Sequence, residues 1–279
     1  MTVDISKLPD TKTPYGAQQP GMAARLAWQV ATNRYLPREI RRRLRKAVAA
    51  RFAGPFDVEA DGVRLRVYPA ENHCDRTVLG RGHLPEAPER ALIAPLLKPG
   101  MVFVDIGANV GVYSLFVSER TQGSARVIAF EPHPRSFSKL WFNCTINGFG
   151  KINCINAAVG GQRGEASLFS DGGGNVGGAS LRGGAVVPNR SDTVSLVGLA
   201  ETLAALDIAV IDLLKIDVEG YEDEALLPLF EADAALWPRH ILLETVHAKL
   251  WGRDVGAALR ANGYRVSGET VENSLFSRM

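Results

Sequence analysis

The chain has few cysteines and lacks several common catalytic motifs. Only Cys74, Cys144 and Cys154 occur among its 279 residues, and no two of them form a C-x-x-C pair. Three unpaired cysteines predict reduced, partly buried thiols, which argues against a disulfide framework or a zinc site. The sequence also contains no P-loop, no nucleophile elbow and no zinc-ligand cluster, so none of these three chemistries is indicated.

Long apolar stretches and a strong excess of charge are missing as well. No uninterrupted apolar run is long enough to span a bilayer. The first twenty residues carry Asp4, Lys7, Asp10 and Lys12 among prolines, where a signal peptide would have an apolar core. The net charge is +2, and apolar and charged residues make up 46% and 22% of the chain. This composition predicts a soluble cytoplasmic protein with a substantial core.

Apolar runs alternate with helical patterns from about residue 100 onward. The runs are continuous, as expected for parallel strands that are buried on both faces. Strands are predicted to end at Asp105 and Glu131 and to lie at 152–158, 165–169, 192–196, 210–217, 240–245, 264–266 and 274–277. Helices are predicted at 88–97, 134–149, 198–206, 222–230 and 248–262. The pattern predicts an α/β fold with a doubly wound, mostly parallel seven-stranded sheet.

An N-terminal extension precedes this core. Residues 1–21 predict a loose tail, and helices follow at 22–35 and 38–52. An Asp61-Gly62 turn between alternating segments predicts a hairpin over residues 56–68. We therefore divide the chain into an extension, residues 1–55, and a domain, residues 56–279. Residues 71–85 are polar with little periodicity and predict a loop, either a substrate lid or a structural connection.

Two further segments have an unusual composition. Residues 38–52 carry seven basic residues against Glu39, with apolar residues at every fourth position. They can form a capping helix with a solvated arginine face, a contact with an anionic membrane or an acidic partner, or a nucleic-acid contact. Residues 170–185 are glycine-rich without the Lys-Ser/Thr ending of a P-loop, which predicts a flexible loop on the substrate side or a plain connector.

The segment from Val102 to Glu131 reads strand, glycine-bearing turn, helix and parallel strand. Its turn contains Gly107, Asn109 and Gly111, so it lacks the middle glycine of a dinucleotide fingerprint. Asp105 precedes the turn and would repel a pyrophosphate, but it suits a ligand with a cationic centre. Glu131 ends the next strand, where a carboxylate can accept hydrogen bonds from ribose hydroxyls. These features favour S-adenosylmethionine over NAD.

Four motifs together resemble class I S-adenosylmethionine-dependent methyltransferases of the FkbM family. They read D-I-G-A-N-V-G at 105–111, F-E-P at 130–132, A-A-V-G at 157–160 and L-K-I-D-V-E-G-Y-E at 214–222. The resemblance extends from Lys98 to Glu244, a little over half of the chain. It implies methyl transfer mostly to oxygen, on hydroxyls of secondary metabolites or sugars.

The resemblance also implies which residues bind the cofactor. The methionine end would be lined by Asp105, Gly107, Asn109 and Gly111. Ribose would be bound by Glu131, with Pro132 beside it. The adenine would lie against Asn156, Ala157 and Ala158. Asp217 and Glu219 would face the cofactor from the fourth strand and stand nearest to the reaction centre.

A hydroxyl acceptor must lose its proton, so a general base is expected. The candidates at strand ends are Asp217, Glu219, Glu244, His247 and His133. Of these, we predict Asp217, Glu219 and His247 as the catalytic residues. A carboxylate pair can hold a divalent ion, but the sequence offers no evident third ligand, so no metal site is predicted.

Three functions follow from these observations. The first is an O-methyltransferase that acts on a small molecule or a glycan. The second is an RNA methyltransferase, which would need a basic surface continuous with the pocket. The strong basic run at 38–51 lies outside the region of resemblance, which argues against nucleic acid. The third is a methyltransferase-like module that binds a partner without turnover, and the intact acids and glycines argue against it.

Overall fold

A computed structural model describes residues 9–170, 178–183 and 190–279 of the protein. The strands of these residues are, in chain order, β1 (Phe56–Ala60), β2 (Val63–Val67), β3 (Val102–Ile106), β4 (Arg126–Phe130), β5 (Ile152–Ile155), β6 (Ala158–Gly160), β7 (Gly164–Ser170), β8 (Arg190–Gly198), β9 (Leu213–Ile216), β10 (His240–Glu244), β11 (Tyr264–Glu269) and β12 (Asn273–Arg278). Their helices are α1 (Met22–Ala31), α2 (Arg38–Arg51), α3 (His73–Arg81), α4 (Ala87–Ile93), α5 (Val112–Arg120), α6 (Pro134–Asn147), α7 (Leu199–Ala205), α8 (Glu222–Leu226) and α9 (Val255–Ala261).

Seven of these strands form the central sheet, in the order β11-β12-β10-β9-β3-β4-β5. The five strands from β10 to β5 are parallel, whereas β12 pairs antiparallel with both β10 and β11. The chain leaves β3 toward β4 on one side and returns to β9 on the other. A crevice for a ligand is expected at such a reversal, outside the carboxyl ends of the strands. The predicted fold class is confirmed.

Apolar side chains cover both faces of this sheet. Phe103 and Val127 belong to the core on one face, and Val104 and Ile128 belong to the core on the other. Because neighbouring residues of a strand point to opposite faces, only a continuous apolar run can supply both cores. The runs that predicted buried parallel strands therefore have this physical origin.

A smaller sheet lies beside the central one, in the order β6-β8-β7. The prediction of a single strand at 152–158 is wrong, because this segment forms two short strands that belong to different sheets. Residues 152–155 pair with β4 in the central sheet, whereas residues 158–160 pair with β8 in the small one. The strand predicted at 165–169 extends over β7 and pairs antiparallel with β8. The chain thus changes sheets between residues 155 and 158.

Residues 9–21 do not form the loose tail that the sequence predicted for 1–21. A buried ion pair in the hairpin holds them, with Arg66 Nε 2.7 Å from Asp57 Oδ1. The guanidinium also donates to the backbone oxygens of Thr13 and Pro14, and Asp57 accepts from the backbone of Gly16. Charged groups are rarely buried without such partners, and here the N-terminal backbone supplies them. Residues 1–8 lie outside the described residues.

The loop predicted over residues 71–85 is also wrong, because α3 occupies most of it. Asn72 caps this helix by accepting hydrogen bonds from the backbone nitrogens of Cys74 and Asp75. Gly82 ends the helix with a φ of +73°, a backbone conformation that glycine adopts without strain. The segment packs against α1, which favours a structural connection over a substrate lid.

Several predicted helices are shorter than expected. The helix predicted over 248–262 is a 3-10 turn followed by α9, which begins only where Asp254 caps the backbone nitrogen of Ala257. The helix predicted over 222–230 becomes a 3-10 turn at 227–231, which contains Pro228. The helix predicted over 22–35 ends at Ala31. Among the described helices, none combines the length and apolarity needed to cross a membrane.

The division at residue 55 stays a prediction. Trp28 of α1 is fully buried in the same core cluster as Phe103 of β3. Its indole nitrogen donates to the backbone oxygen of Phe52. The extension therefore packs directly on the domain that it precedes.

Candidate active site

A cavity of about 610 Å³, including the part open to solvent, lies at the carboxyl ends of β3, β4 and β9. It occupies the crevice that the strand order creates. Seven of the predicted cofactor residues line it: Gly107, Asn109, Glu131, Pro132, Ala157, Ala158 and Asp217. Apolar side chains that include Phe130 and Leu168 complete the wall. The described part of the glycine-rich segment contributes Ala179 and Leu181, whereas residues 171–177 and 184–185 of that segment lie outside the described residues.

Gly107 forms the turn after β3 with a φ of +77°. A Cβ atom at this position would overlap the backbone oxygen of Asp217, which follows β9. The absence of a side chain therefore lets the ends of two neighbouring strands approach each other at the cavity. Gly111 also has a positive φ, but its missing Cβ leaves room for Leu140 of α6. Gly111 packs beside α6 and does not line the cavity, contrary to prediction.

The predicted position of Asp105 at the cavity wall is wrong. Its side chain is completely buried, and Ser114 Oγ donates to it at 2.6 Å. Lys215 of β9 lies beside it, with Nζ 3.7 Å from Asp105 Oδ1 and 3.5 Å from Asp217 Oδ2. Burial raises the pKa of Asp105, while the Lys215 charge opposes this rise. Asp105 therefore lies behind the cavity wall, where it faces Lys215, the residue that bonds to the Gly107 backbone.

Lys215 contacts Gly107, Asp105 and Asp217 and so links the ends of β3 and β9. It was not among the residues predicted from the sequence. Its ammonium donates to the backbone oxygen of Gly107 at 2.8 Å. Burial disfavours its charge, but Asp217 and Asp105 outweigh burial and hold its pKa above the usual value. A lysine within an otherwise apolar strand is a signal that could have revealed it, because a buried charge needs a partner.

Glu131 ends β4 with its carboxylate at the cavity. Its two oxygens accept hydrogen bonds from the backbone nitrogens of Asn109 and His133, each at 2.8 Å. Burial raises the pKa of Glu131 to about 7. Each carboxylate oxygen has a second lone pair, so Glu131 can accept further hydrogen bonds from a ligand.

Three predicted residues have side chains engaged elsewhere. The Asn109 side chain accepts from Asn72 at 2.9 Å, so only its backbone serves Glu131. Asn156 is exposed outside the cavity and donates to the backbone oxygens of Glu131 and Pro132. His133 caps α6, and burial lowers its pKa to about 4. A histidine with so low a pKa is a poor general base at neutral pH.

The acids at the other side of the cavity crowd together. Glu219 follows β9 in a left-handed conformation, with a φ of +56°. Its Oε2 lies 2.9 Å from Nε2 of His247, which follows β10. Burial and the charge of Asp217 raise the pKa of Glu219 to about 8 and that of Glu244 to about 10. The structure thus brings together three of the five candidate bases: Glu219, Glu244 and His247.

The family of the chain follows from comparison with known proteins. A model described as the methyltransferase FkbM domain matches residues 105–266, which is more than half of the chain. The chain belongs to the FkbM methyltransferase family. The resemblance carried by the four motifs is confirmed, and the protein is a methyltransferase.

Two curated relatives of this FkbM-family chain are similar to it. The 31-O-demethyl-FK506 methyltransferase FkbM of Streptomyces tacrolimicus is 32% identical over 203 residues, which are 62% of this chain and 76% of that protein. The AMB antimetabolite synthetase AmbE of Pseudomonas aeruginosa is 30% identical over 211 residues. The match covers 62% of this chain but 10% of AmbE.

One solved structure with a similar fold is the methyltransferase FkbM from Methylobacillus flagellatus KT. It is 17% identical, with a TM-score of 0.46, and the alignment covers 90% of this chain and 58% of that chain. A precorrin-6y C5,15-methyltransferase from Geobacter metallireducens GS-15 is 14% identical with a TM-score of 0.42, over 70% of this chain and 90% of that one.

Three side chains of this FkbM-family methyltransferase could hold a metal ion. Glu219, Glu244 and His247 each offer one ligand atom, and these atoms lie within 4.8 Å of one another. The sequence revealed no third ligand beside the acid pair, because Glu244 and His247 join Glu219 only through the pairing of β9 with β10. Two carboxylates and an imidazole suit a divalent ion, while the contact between Glu219 and His247 also satisfies both groups without one.

A further acid near the cavity was not predicted. Glu86, between α3 and α4, has a φ of +57°, which is uncommon for a residue with a side chain. Burial and the charge of Asp217 raise its pKa to about 7. Its carboxylate forms a hydrogen bond with Tyr113 of α5. Because Glu86 directly follows the segment interpreted as a polar loop, only the fold could place it near Asp217.

Proposed function

We propose that this methyltransferase uses S-adenosylmethionine to methylate a hydroxyl group of a small molecule or a glycan. One observation carries the proposal. The cavity formed by Gly107, Glu131 and Asp217 adjoins a Glu219–His247 pair that can accept a proton. Such a site combines a nucleoside-sized pocket with a candidate base at its edge.

The residues that line the cavity support this cofactor by their chemistry. Glu131 can accept hydrogen bonds from ribose hydroxyls, and the apolar wall with Ala157 and Ala158 can contact an adenine ring. Asp217 is one-third exposed and suits the cationic end of the ligand. Gly107 lines the cavity, so its backbone can contact the methionine part. When bound, S-adenosylmethionine would supply a methyl group on a sulfonium.

We assign His247 as the general base and Glu219 as the residue that orients it. Glu219 occupies Nε2 of the imidazole, so Nδ1 is left to take the proton of the acceptor hydroxyl. Once ionised, above its raised pKa of about 8, the Glu219 carboxylate can stabilise the imidazolium that forms. Both side chains are about one-quarter exposed, at 26% and 27%, which lets an acceptor reach them. Proton transfer to a positioned base typically contributes about 100- to 10,000-fold to a rate.

Two observations support the proposed acceptor class, one on charge and one on a relative. Asp217 and Glu219 at the cavity, with Glu244 beside them, give this edge carboxyl groups in place of the lysines and arginines that bind a phosphate backbone. This argues against RNA as the acceptor. The name of the Streptomyces tacrolimicus relative describes an O-methylation, which supports a hydroxyl acceptor here. Carboxylates also bind hydroxyl groups well, as a polyhydroxylated acceptor requires.

Titration calorimetry with S-adenosylmethionine tests the cofactor. We expect saturable binding, and Glu131→Gln should weaken it at least about tenfold, because hydrogen bonds to a charged acceptor are lost. Glu165→Gln, on the exposed part of β7, is the matched control and should bind like the unmodified protein. No binding at micromolar cofactor would refute the proposal.

Labelled S-adenosylmethionine identifies the acceptor. The protein is incubated with the labelled donor and separately with small-molecule, glycan and RNA fractions of a cell extract. We expect label in a small-molecule or glycan fraction, as an ether that resists mild base. Label confined to RNA, or label in an ester or amine, would overturn the hydroxyl assignment.

A further inference from the structure

The positive charge of the protein is concentrated in one helix. Helix α2 has seven basic residues and Glu39, a net charge of +6, whereas the whole chain carries +2. The rest of the chain is therefore net acidic, at −4. Glu39 pairs with Arg42 at 2.8 Å, which leaves most of the helix charge without an acid on the same helix. Burial and the neighbouring charges of Arg41 and Arg38 lower the pKa of Arg45, a further sign of crowding.

Exposed apolar side chains accompany this charge. Five of the eleven large exposed hydrophobic side chains among the described residues lie between positions 22 and 40: Met22, Leu26, Val30, Tyr35 and Ile40. The first three are four residues apart and so form one stripe along α1. The opposite side of α1 is buried through Ala24, Trp28 and Ala31. The stripe therefore faces away from the core.

The two helices form one unit that is firmly attached to the domain. Helix α1 packs against α2 and α3. No residue of α2 is fully buried, although Leu44 and Val48 pack against the core. The unit thus presents apolar and basic side chains to solvent while it packs on the domain. Exposed apolar patches with a charged surround commonly mark an interaction surface.

We propose that α1 and α2 form a docking surface for an anionic lipid bilayer. A bilayer surface accommodates both features at once, because the aliphatic stripe can enter the interface while arginine and lysine contact the headgroups. Nucleic acid matches the charge but leaves Met22, Leu26 and Val30 without a partner. Single-stranded nucleic acid instead selects aromatic stacking surfaces, and Tyr35 is the one aromatic among the five exposed residues. This surface is independent of the proposed methyl transfer.

Vesicle co-sedimentation with the full chain tests the surface. One set of vesicles contains phosphatidylcholine alone, and the other contains phosphatidylcholine mixed with phosphatidylglycerol. We expect the protein to sediment with the anionic vesicles and to remain in solution with the neutral ones. Raising the salt concentration should release it, because surface charge attraction is screened.

Two kinds of variant separate charge from apolar contact. Arg43→Glu with Lys46→Glu reverses two exposed charges on α2 and should weaken binding to the anionic vesicles at least about 20-fold. Lys151→Glu with Arg163→Glu makes the same charge change on exposed loops elsewhere and should reduce binding less than about threefold. Leu26→Ser leaves the charge unchanged and should weaken binding about fivefold or more.

Circular dichroism and cofactor titration show that each variant is folded. Equal loss of binding in both charge-reversed variants would overturn the docking surface, since only net charge would then matter. Failure of the unmodified protein to sediment with anionic vesicles would overturn it as well. So would tight binding to a single-stranded RNA oligonucleotide that Arg43→Glu with Lys46→Glu abolishes while vesicle binding is unchanged.

Discussion

The two sides of the cavity are built in different ways. On the β3–β4 side, a contiguous stretch of chain forms the wall, and backbone groups make most of the contacts. The backbone nitrogens of Asn109 and His133 hold Glu131, and Lys215 donates to the Gly107 carbonyl while facing Asp105 and Asp217. On this side Lys215 thus lies between two acids, and Glu131 is held by backbone donors.

On the β9–β10 side, acids from two strands meet, and the charge of Lys215 does not outweigh burial and their repulsion. Glu219 contacts His247, and one oxygen of Glu244 is buried without a hydrogen-bond partner among the described residues. Burial and the charge of Asp217 raise the pKa values of both Glu219 and Glu244. The carboxyl group of the first side is held by backbone donors, whereas the second side holds several acids crowded near one another. Substitutions on the two sides should therefore affect different measurements.

The largest effect is expected from Gly107→Ala on the β3–β4 side. A Cβ there would overlap the Asp217 backbone, so the turn or the end of β9 must move. We expect affinity for S-adenosylmethionine to fall at least about 100-fold, because strain and displacement together cost about 3 kcal/mol. Calorimetry measures this loss.

Gly100→Ala is the matched control for this substitution. Gly100 also has a positive φ, of +74°, but a Cβ added to it would have no atom within 4 Å. The control should carry the backbone strain without the overlap and keep cofactor affinity within about twofold, since it lies before β3 and away from the cavity. Equal losses in both variants would show that strain alone, and no close approach of the strands, explains the effect.

His247→Gln should come next, and it should spare the cofactor. We expect the rate of label transfer to the acceptor to fall about 100-fold, as for loss of a general base, while cofactor affinity stays within about twofold. His240→Gln, at the opposite end of β10, is the control and should leave both quantities unchanged. An equal fall in cofactor affinity and rate would mean that His247 shapes the cavity and does not act as the base.

The β3–β4 side could be predicted from the sequence because its residues are contiguous. An apolar run, a turn with Gly107 and a second run ending at Glu131 define that wall almost without long-range information. Asp105 shows the limit of this method. Its place at the strand end was correctly identified, but the side on which its carboxylate lies depends on Ser114 and Lys215, which only the packed fold brings to it.

The β9–β10 side depends on contacts that the sequence does not encode locally. Glu219, Glu244 and His247 meet because β9 and β10 pair in parallel, with Ile216 opposite Leu243. Acids at strand ends were recognised, yet their distances were not. The same reason explains the missed helix α3, whose polar sequence has weak helical periodicity and whose position is set by packing against α1.

Glu244→Gln should change stability more than function, and in a pH-dependent way. The pKa of Glu244 is raised from 4.5 to about 10, so the folded state keeps a proton that the unfolded chain releases between these values. This group therefore favours folding most below pH 4.5, and its contribution is lost as the pH rises toward 10. In calorimetric scans between about pH 5 and pH 9, Glu244→Gln should raise Tm at the alkaline end by a few degrees and flatten the decline of Tm with pH.

Part of the decline of Tm with rising pH should remain in the Glu244→Gln variant. Glu219, with a pKa raised to about 8, still takes up a proton on folding up to that pH. The control Glu165→Gln changes an exposed acid and should leave the whole Tm profile unchanged. A Glu244→Gln profile that follows that of the unmodified protein would show that Glu244 is ionised in the folded state.

Asn156→Ala, on the β3–β4 side, should have the smallest effect on cofactor affinity. Its amide donates to the backbone oxygens of Glu131 and Pro132, so it fastens the loop after β4 to the end of β5. The side chain is exposed, and water can replace these bonds, so we expect cofactor affinity to fall only about threefold, as for a neutral hydrogen bond. Calorimetry beside Asn262→Ala, whose amide bonds a distant helix end, checks the effect. A loss as large as that of Glu131→Gln would place Asn156 in direct contact with the cofactor, as the sequence predicted.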